Sequence, residues 1–370
     1  MLYCIPFSIW KVIDTALYGF LLFLIWHLFT NRTLVMLSVS AVLVILYPIN
    51  DYLSSAGYIA TSTNYFYTII GLLLGITPLV KSIRNERIHP IACFLSLLGL
   101  FYAENQDQTA AVSIGLFFLA NVYFFFRWKQ KRDKEDRNRV VLCSSYLALT
   151  IVIYLFMFLT PGHLFRMSDD QEMLRWLPVY QYWPLWYKLY KGVSTTFATL
   201  FFLQPKNFQL FCLFLTVYLF LYDRKRVLPS IILILSMLVA GTLERNWFIR
   251  QLEYAPGTPD LQSIYTNPFG VIISIIIFSM LITCVLIIGK TNKELCIALL
   301  IANILGFGSR IMMGLSPTLY ASSFRTFTPL LFCFIVCDVF LVEHIVEYAI
   351  THTRVCGADC IVSRRNHIDN

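Results

Sequence analysis

The sequence predicts an all-α fold, a polytopic bundle of transmembrane helices. The chain of 370 residues is 58% hydrophobic, has a mean hydropathy of +0.68 and contains only 14% charged residues. A soluble domain typically contains about 25% charged residues. Apolar runs recur along the whole chain, and a helix needs about 20 such residues to cross a bilayer. Together these features argue against a soluble core protein.

We expect about eleven spans, several of which are short enough to require tilting or local thinning of the bilayer. They cover approximately residues 14–29, 33–49, 65–80, 88–103, 109–127, 140–160, 208–222, 227–243, 268–289, 294–309 and 326–349. The expected organisation is one transmembrane domain over residues 1–350 and a cytoplasmic tail over residues 351–370.

The connectors predict the orientation of the bundle. Residues 127–139 contain seven Lys and Arg residues, and residues 81–90 contain three. Positive connectors face the cytoplasm, so the FYAENQDQTAAV segment (101–112) between them is expected on the outer face. The +8 formal charge is explained by these anchors and does not indicate nucleic acid. The same count places the N-terminus outside, which suggests either that an upstream helix and outer loop are missing or that the first predicted span is wrong.

One region allows two interpretations. Residues 184–222 could form two spans, which would place the basic segment 222–227 outside. We prefer a model in which residues 171–205 lie at the outer interface, because the basic segments then stay inside. Residues 172–192 are rich in Trp and Tyr, whose rings favour the headgroup layer.

In this topology the outer face collects carboxylates, amides, arginines and aromatic rings. Amides and carboxylates bind sugar hydroxyls, and arginine pairs with phosphate oxygens. The ENQDQ segment (104–108) is either part of such a site or a solvated turn. Likewise, Arg166 could contact lipid phosphate, while Arg310 and Arg325 could be interfacial anchors.

The final span also contains ionisable residues. A proton relay is conceivable there, but we prefer a polar helix terminus. The residues in question are Asp338, Glu343, His344 and Glu347.

Four motifs follow one another along the predicted outer segments: Thr61 or Thr63 with Asn64 and Tyr65; Asn105, Asp107 and Gln108; Pro161, Gly162 and Arg166; and Ser316, Pro317 and Arg325. Their order resembles a family of bacterial membrane proteins. These are grouped with the GT-C glycosyltransferases, which use lipid-linked sugars, and are similar to the glucosyltransferases that decorate O-antigen and other surface polysaccharides.

The resemblance implies transfer of a sugar from a polyprenyl-phosphate carrier to a surface glycan, outside the bacterial plasma membrane. Asp107 is the first candidate for the catalytic carboxylate and Glu104 the second. A divalent cation assists some members, but the sequence shows no ligand set for it. The residues implied to bind substrate are Asn64, Tyr65, Asn105, Gln108, His163, Arg166, Ser316 and Arg325.

Three departures from the family pattern affect this assignment. Asp107 stands where Glu is common, and His163 stands where Asn is common. The sequence also begins just after the point where the family has an acidic first outer loop, so we expect either that the start is truncated or misassigned or that this member has lost the loop. Two alternatives therefore remain: a flippase or transporter of a lipid-linked sugar, and a non-catalytic subunit of a polysaccharide assembly system.

Overall fold

A computed structural model describes residues 7–47, 62–161, 180–243, 268–319 and 323–366. These residues form helices and turns, which confirms the all-α prediction. The described ranges contain twelve α-helices: α1 Phe7–Phe29, α2 Leu34–Ile45, α3 Tyr67–Ile83, α4 Pro90–Ala103, α5 Asp107–Lys131, α6 Lys134–Phe158, α7 Leu185–Phe197, α8 Lys206–Tyr222, α9 Leu228–Leu243, α10 Pro268–Thr291, α11 Lys293–Ile311 and α12 Thr328–Asn366.

Short helical turns extend several of these helices. Two are π-helical, Ser62–Phe66 before α3 and Ala198–Leu203 after α7. Four are 3-10 turns: Tyr180–Tyr182, Arg224–Arg226, Met312–Leu315 and Ser323–Phe327.

Polar residues in the connectors define where several helices begin. The side chain of Thr33 accepts a hydrogen bond from the Met36 N–H at the start of α2. Asp133 caps α6 and Asn292 caps α11 in the same way. Such caps satisfy backbone donors that have no partner inside the helix.

The prediction of about eleven spans is wrong for the described helices. Seven of them are long and apolar enough to cross a membrane, or eight if one bent pair counts as a span. The helices α2, α4 and α9 contain only 12, 14 and 16 residues. At 1.5 Å per residue they rise about 18–24 Å, less than the ~30 Å hydrocarbon core. Caps and connectors shorten these helices, which hydropathy alone did not reveal.

The bent pair falls in the ambiguous region. Residues Leu185–Leu203 and Lys206–Tyr222 meet at an angle of 74°. The backbone turns at Gln204, which has a φ of 50°, and Pro205 then begins α8. Residues 185–203 are therefore either half of a broken span or a re-entrant segment, and their predicted interfacial position stays a prediction.

Helices α3 and α12 form the centre of the bundle. In the most apolar stretches of 62–83 and 324–351, 67% and 61% of residues are buried, against 17% in 134–158. The short α4 packs closely on α3, since a Cβ atom on Gly71 would lie 2.7 Å from the Gly99 carbonyl oxygen. Small residues allow helix backbones to approach in this way.

The connectors gather at two ends of the bundle. We call the first the polar end, which comprises residues 62–66, 104–108, 180–192 and 308–327 where described. The second, the arginine end, comprises residues 27–33, 81–89, 127–139, 222–228 and 289–293. The α12 helix continues to Asn366, so it does not break at the predicted domain boundary near residue 350.

Candidate functional site

The ENQDQ segment forms a tight turn between α4 and α5. Gln106 is the N-cap of α5, and its Oε1 accepts a hydrogen bond from the Thr109 N–H at 2.7 Å. The Thr109 hydroxyl donates to the Ala103 carbonyl oxygen at 2.8 Å, which closes the end of α4. Side-chain caps thus hold a turn that contains neither Gly nor Pro.

Glu104 points inward from this turn and is 1% exposed. The Ser113 hydroxyl donates a short hydrogen bond to its Oε1, while Oε2 has no hydrogen-bond partner among the described residues. Burial raises the pKa of Glu104 to about 8, and the Ser113 hydrogen bond offsets part of this rise. The carboxyl group therefore holds its proton at neutral pH and is a donor there, not a general base.

Asp107 has the opposite environment. It is exposed in the first turn of α5, where a carboxylate complements the helix dipole. The Tyr154 hydroxyl of α6 donates a hydrogen bond to its Oδ1 at 3.3 Å. Of the two candidate carboxylates, Asp107 is thus the one that can accept a proton from a molecule at the surface.

Gln108 connects the turn to the segment between α11 and α12. Its Nε2 donates to the Ser309 carbonyl oxygen at 3.2 Å and to the Thr326 carbonyl oxygen at 2.8 Å. Gln108 is 2% exposed, so these bonds form inside the protein. The residue predicted to contact sugar therefore positions the backbone on either side of the last predicted outer loop.

Arg325 lies next to the first predicted outer motif. Its guanidinium carbon is 5.8 Å from the centre of the Tyr65 ring, and its Nε has no hydrogen-bond partner among the described residues. Tyr102 of α4 ties the same motif to α4, since its hydroxyl donates to the Thr63 carbonyl oxygen at 2.9 Å. Three motifs far apart in sequence are therefore neighbours at the polar end.

Three other predicted residues, Asn64, Asn105 and Ser316, have no side-chain contact with this cluster within the described part of the chain. Asn64 and Asn105 are exposed. Ser316 forms a local turn, with its Oγ 2.8 Å from the Thr318 hydroxyl. His163 and Arg166 lie outside the described residues.

The aromatic helix α7 packs beside the cluster. A Cβ on Gly192 would overlap the Ile311 carbonyl oxygen, and one on Gly314 would overlap the Lys188 carbonyl oxygen. The two backbones therefore touch. On the other side of α7, Trp186 is 68% exposed, which is typical of a ring that faces a membrane interface.

The sequence interpretation missed three residues that organise the site: Gln106, Ser113 and Tyr154. Gln106 is not among the common N-caps. Ser113 and Tyr154 hydrogen-bond residues that approach them only in the folded bundle, so no local sequence pattern indicates these contacts. Arg310, which the sequence allows as a phosphate-binding residue or an interfacial anchor, is 3% exposed, and its guanidinium carbon lies 4.3 Å from the centre of the Phe327 ring.

The ionisable residues of α12 divide into two groups. Glu343 Oε1 accepts a hydrogen bond from the Asn31 N–H at 2.6 Å, while His344 Nδ1 lies 3.3 Å from Glu347 Oε2. Because α12 continues to Asn366, the prediction that these residues form a helix terminus is wrong. Asp338 is fully buried, and neither of its carboxylate oxygens has a hydrogen-bond partner in the described part of the chain.

The described residues contain no group of three or more His, Cys, Asp and Glu side chains that could hold a metal ion. A divalent cation at the polar end thus stays a prediction without a ligand set.

Fold and site together define a general class: an all-helical protein with several helices of membrane-spanning length and a polar cluster at one end. Comparisons with protein-family models, with curated proteins and with solved structures gave no match to this chain. The polar cluster is therefore the basis for the function proposed below.

Proposed function

We propose that the chain is a bacterial plasma-membrane glycosyltransferase with a GT-C-like bundle, which moves a sugar from a polyprenyl-phosphate carrier to a surface glycan. The polar end faces the extracytoplasmic side in this proposal, as the basic connectors predict. The observation that supports it most is the convergence of three distant motifs. Gln108 binds the backbone of Thr326, and Arg325 lies against Tyr65.

In the proposed reaction, an acceptor hydroxyl oxygen attacks the anomeric carbon of the sugar. The new C–O bond forms as the bond to the phosphate oxygen breaks, and polyprenyl phosphate leaves with the electron pair. Asp107 takes the proton of the acceptor hydroxyl. Arg325 pairs with the phosphate as its negative charge develops.

The environments of the two carboxyl groups assign them different roles. Asp107 is exposed and can reach an acceptor, whereas Glu104 is buried and keeps its proton. We therefore assign the base to Asp107 and a positioning role to Glu104, which hydrogen-bonds Ser113 across the turn.

The test uses purified protein in nanodiscs with a radiolabelled polyprenyl-phosphate hexose and glycan-bearing membranes. Asp107→Ala should reduce release of polyprenyl phosphate by about 10²–10⁴-fold, the usual contribution of a general base. Asp133→Ala is the matched control, because Asp133 caps α6 at the arginine end. Equal turnover by wild type and Asp107→Ala would refute the assignment.

Sidedness has a separate test in whole cells, on a background without native cysteines. Asn105→Cys should react with an impermeant thiol reagent, and Asn138→Cys should not; both positions are exposed. The reverse pattern would place the polar end in the cytoplasm and remove the proposed acceptor from reach.

A second candidate function is a flippase or transporter of a lipid-linked sugar. Asp338 favours it, since an ionisable residue at membrane depth commonly belongs to a substrate or proton path. Asp338 is fully buried, and neither of its carboxylate oxygens has a hydrogen-bond partner among the described residues. Proteoliposomes loaded with the labelled lipid distinguish the two functions: a carrier moves it between leaflets without releasing polyprenyl phosphate, and Asp338→Asn stops that movement.

A further inference from the structure

Two adjoining cavities lie inside the bundle, and the second of them is at the arginine end. The first has a volume of about 370 Å³ and is lined almost wholly by apolar side chains of α1, α3, α5, α11 and α12. The second has a volume of about 430 Å³ and is lined mainly by polar and charged groups. They share Phe29, Arg84 and Phe340, so they meet at these side chains, and we call them the apolar part and the charged part of one space.

The apolar part is long enough to hold an acyl chain. Its lining extends from Ile69 to Ile83 along α3 and from Pro329 to Phe340 along α12. At 1.5 Å per residue these distances are about 21 and 16 Å, more than half of the ~30 Å hydrocarbon core. Among the described residues that line it, only Arg84 is charged, and Arg84 lies where the two parts meet.

The charged part contains both signs. Arg32 pairs with Glu86 at 2.5 Å, and Glu343 accepts a hydrogen bond from the Asn31 N–H. Arg84 donates to the carbonyl oxygens of His27 and Thr30 at 2.9 and 2.8 Å. A guanidinium has five N–H donors, so Arg84 can close the end of α1 and still bind a ligand.

We propose that this space binds one molecule of phosphatidylethanolamine. An acyl chain occupies the apolar part, the phosphate binds Arg84, and the ammonium group binds Glu86 and Glu343. The balance of charges favours this headgroup: phosphatidylglycerol has no cation for the two carboxylates. Phosphatidylcholine has a cation without N–H donors, so it cannot hydrogen-bond them.

This inference does not rest on sugar transfer, because the charged part, which binds the headgroup, lies at the opposite end from the catalytic candidates. The experiment measures lipid retention by native mass spectrometry. Full-length protein is released from nanodiscs that contain equal parts of phosphatidylethanolamine, phosphatidylglycerol and phosphatidylcholine. We expect one phosphatidylethanolamine to remain bound per chain.

Ala302→Phe tests the apolar part, because Ala302 lines it and the larger ring fills it. Retention should fall about tenfold, which corresponds to about 1.4 kcal/mol. Ala148→Phe is the control, since Ala148 is exposed on α6 outside both cavities. Equal retention by Ala302→Phe and wild type would overturn the proposal.

The double variant Glu86→Gln with Glu343→Gln tests which headgroup is bound. It does not change the apolar part that Ala302→Phe fills. It leaves the two arginines without carboxylate partners, so selectivity should move to phosphatidylglycerol. Arg226→Gln, which breaks an ion pair at the same end, should keep the wild-type selectivity. Retention of the three lipids in equal amounts by the wild type, or unchanged selectivity in the double variant, would contradict the proposed headgroup.

Discussion

The two ends of the bundle differ in how their buried charged groups are paired. At the arginine end, Asp136 is fully buried between Arg127 at 2.9 Å and Arg139 at 2.8 Å. At the polar end, Glu104 Oε2 and Arg325 Nε have no hydrogen-bond partner within the described residues. A buried polar group without a partner is costly, so these two atoms at the polar end do not stabilise the fold. The ion pairs of Asp136 at the arginine end join α5 to α6 and do stabilise it.

Asp136→Asn should cause the largest loss in the free energy of unfolding. The change removes the buried carboxylate partner of Arg139 and leaves only the exposed carboxylate of Glu135 beside it. Breaking a buried pair costs about 3 kcal/mol or more. The free energy of unfolding, measured by SDS titration in mixed micelles, should fall by this amount. Turnover per folded molecule should stay unchanged, because Asp136 is far from the polar end.

Glu135→Gln is the matched control for this change. Glu135 is 64% exposed and lies 3.6 Å from the same arginine. An exposed pair contributes less than about 1 kcal/mol. If both variants lose the same free energy, the arginine end is not held by its buried pair.

Gly192→Ala should cause the next largest loss of stability, because its added methyl group overlaps the backbone contact between α7 and Ile311. Overpacking of this kind costs about 1–3 kcal/mol. Gly308→Ala is the control on α11, since a Cβ at Gly308 meets no atom within 4 Å. Thermal unfolding in detergent should show a lower Tm for the first variant and an unchanged or higher Tm for the second.

Glu104→Gln tests whether the buried carboxyl group of Glu104 is protonated in the folded state. Its pKa is raised from 4.5 to about 8 in the folded state. Below pH 4.5 the folded and unfolded states are both protonated, and the stability contribution is complete. As the pH rises towards 8, only the unfolded state releases its proton, so stability falls.

The wild-type Tm should therefore decrease between about pH 5 and pH 8, and Glu104→Gln should flatten this part of the curve. At the lower pH the variant should differ from wild type by about 1 kcal/mol or less, since an amide replaces a neutral acid. A wild-type curve as flat as that of the variant would show that Glu104 ionises normally.

The sequence predicted the helical class and the position of each apolar segment, because hydropathy is a local property. It did not predict helix lengths, since the end of α2 or α4 depends on caps and connectors. It left two interpretations of residues 184–222 open, because the 74° bend between Leu203 and Lys206 depends on tertiary packing. At the site, the clustering of motifs followed from topology alone, whereas the contacts of Gln108 with Thr326 and of Ser113 with Glu104 required the fold.

Tyr154→Phe should have the smallest effect and is the most specific test of the polar end. It removes the hydroxyl that donates to Asp107, a partly exposed bond worth about 1 kcal/mol or less. Because that bond orients the Asp107 carboxylate, its loss should lower turnover per folded molecule by about fivefold or less, which corresponds to about 1 kcal/mol or less. Tyr182→Phe, at a position that is 78% exposed, should leave turnover unchanged. A purely structural role for Asp107 predicts a small loss of stability with unchanged turnover, so the comparison of stability with turnover decides whether Asp107 only begins α5 or also acts as a base.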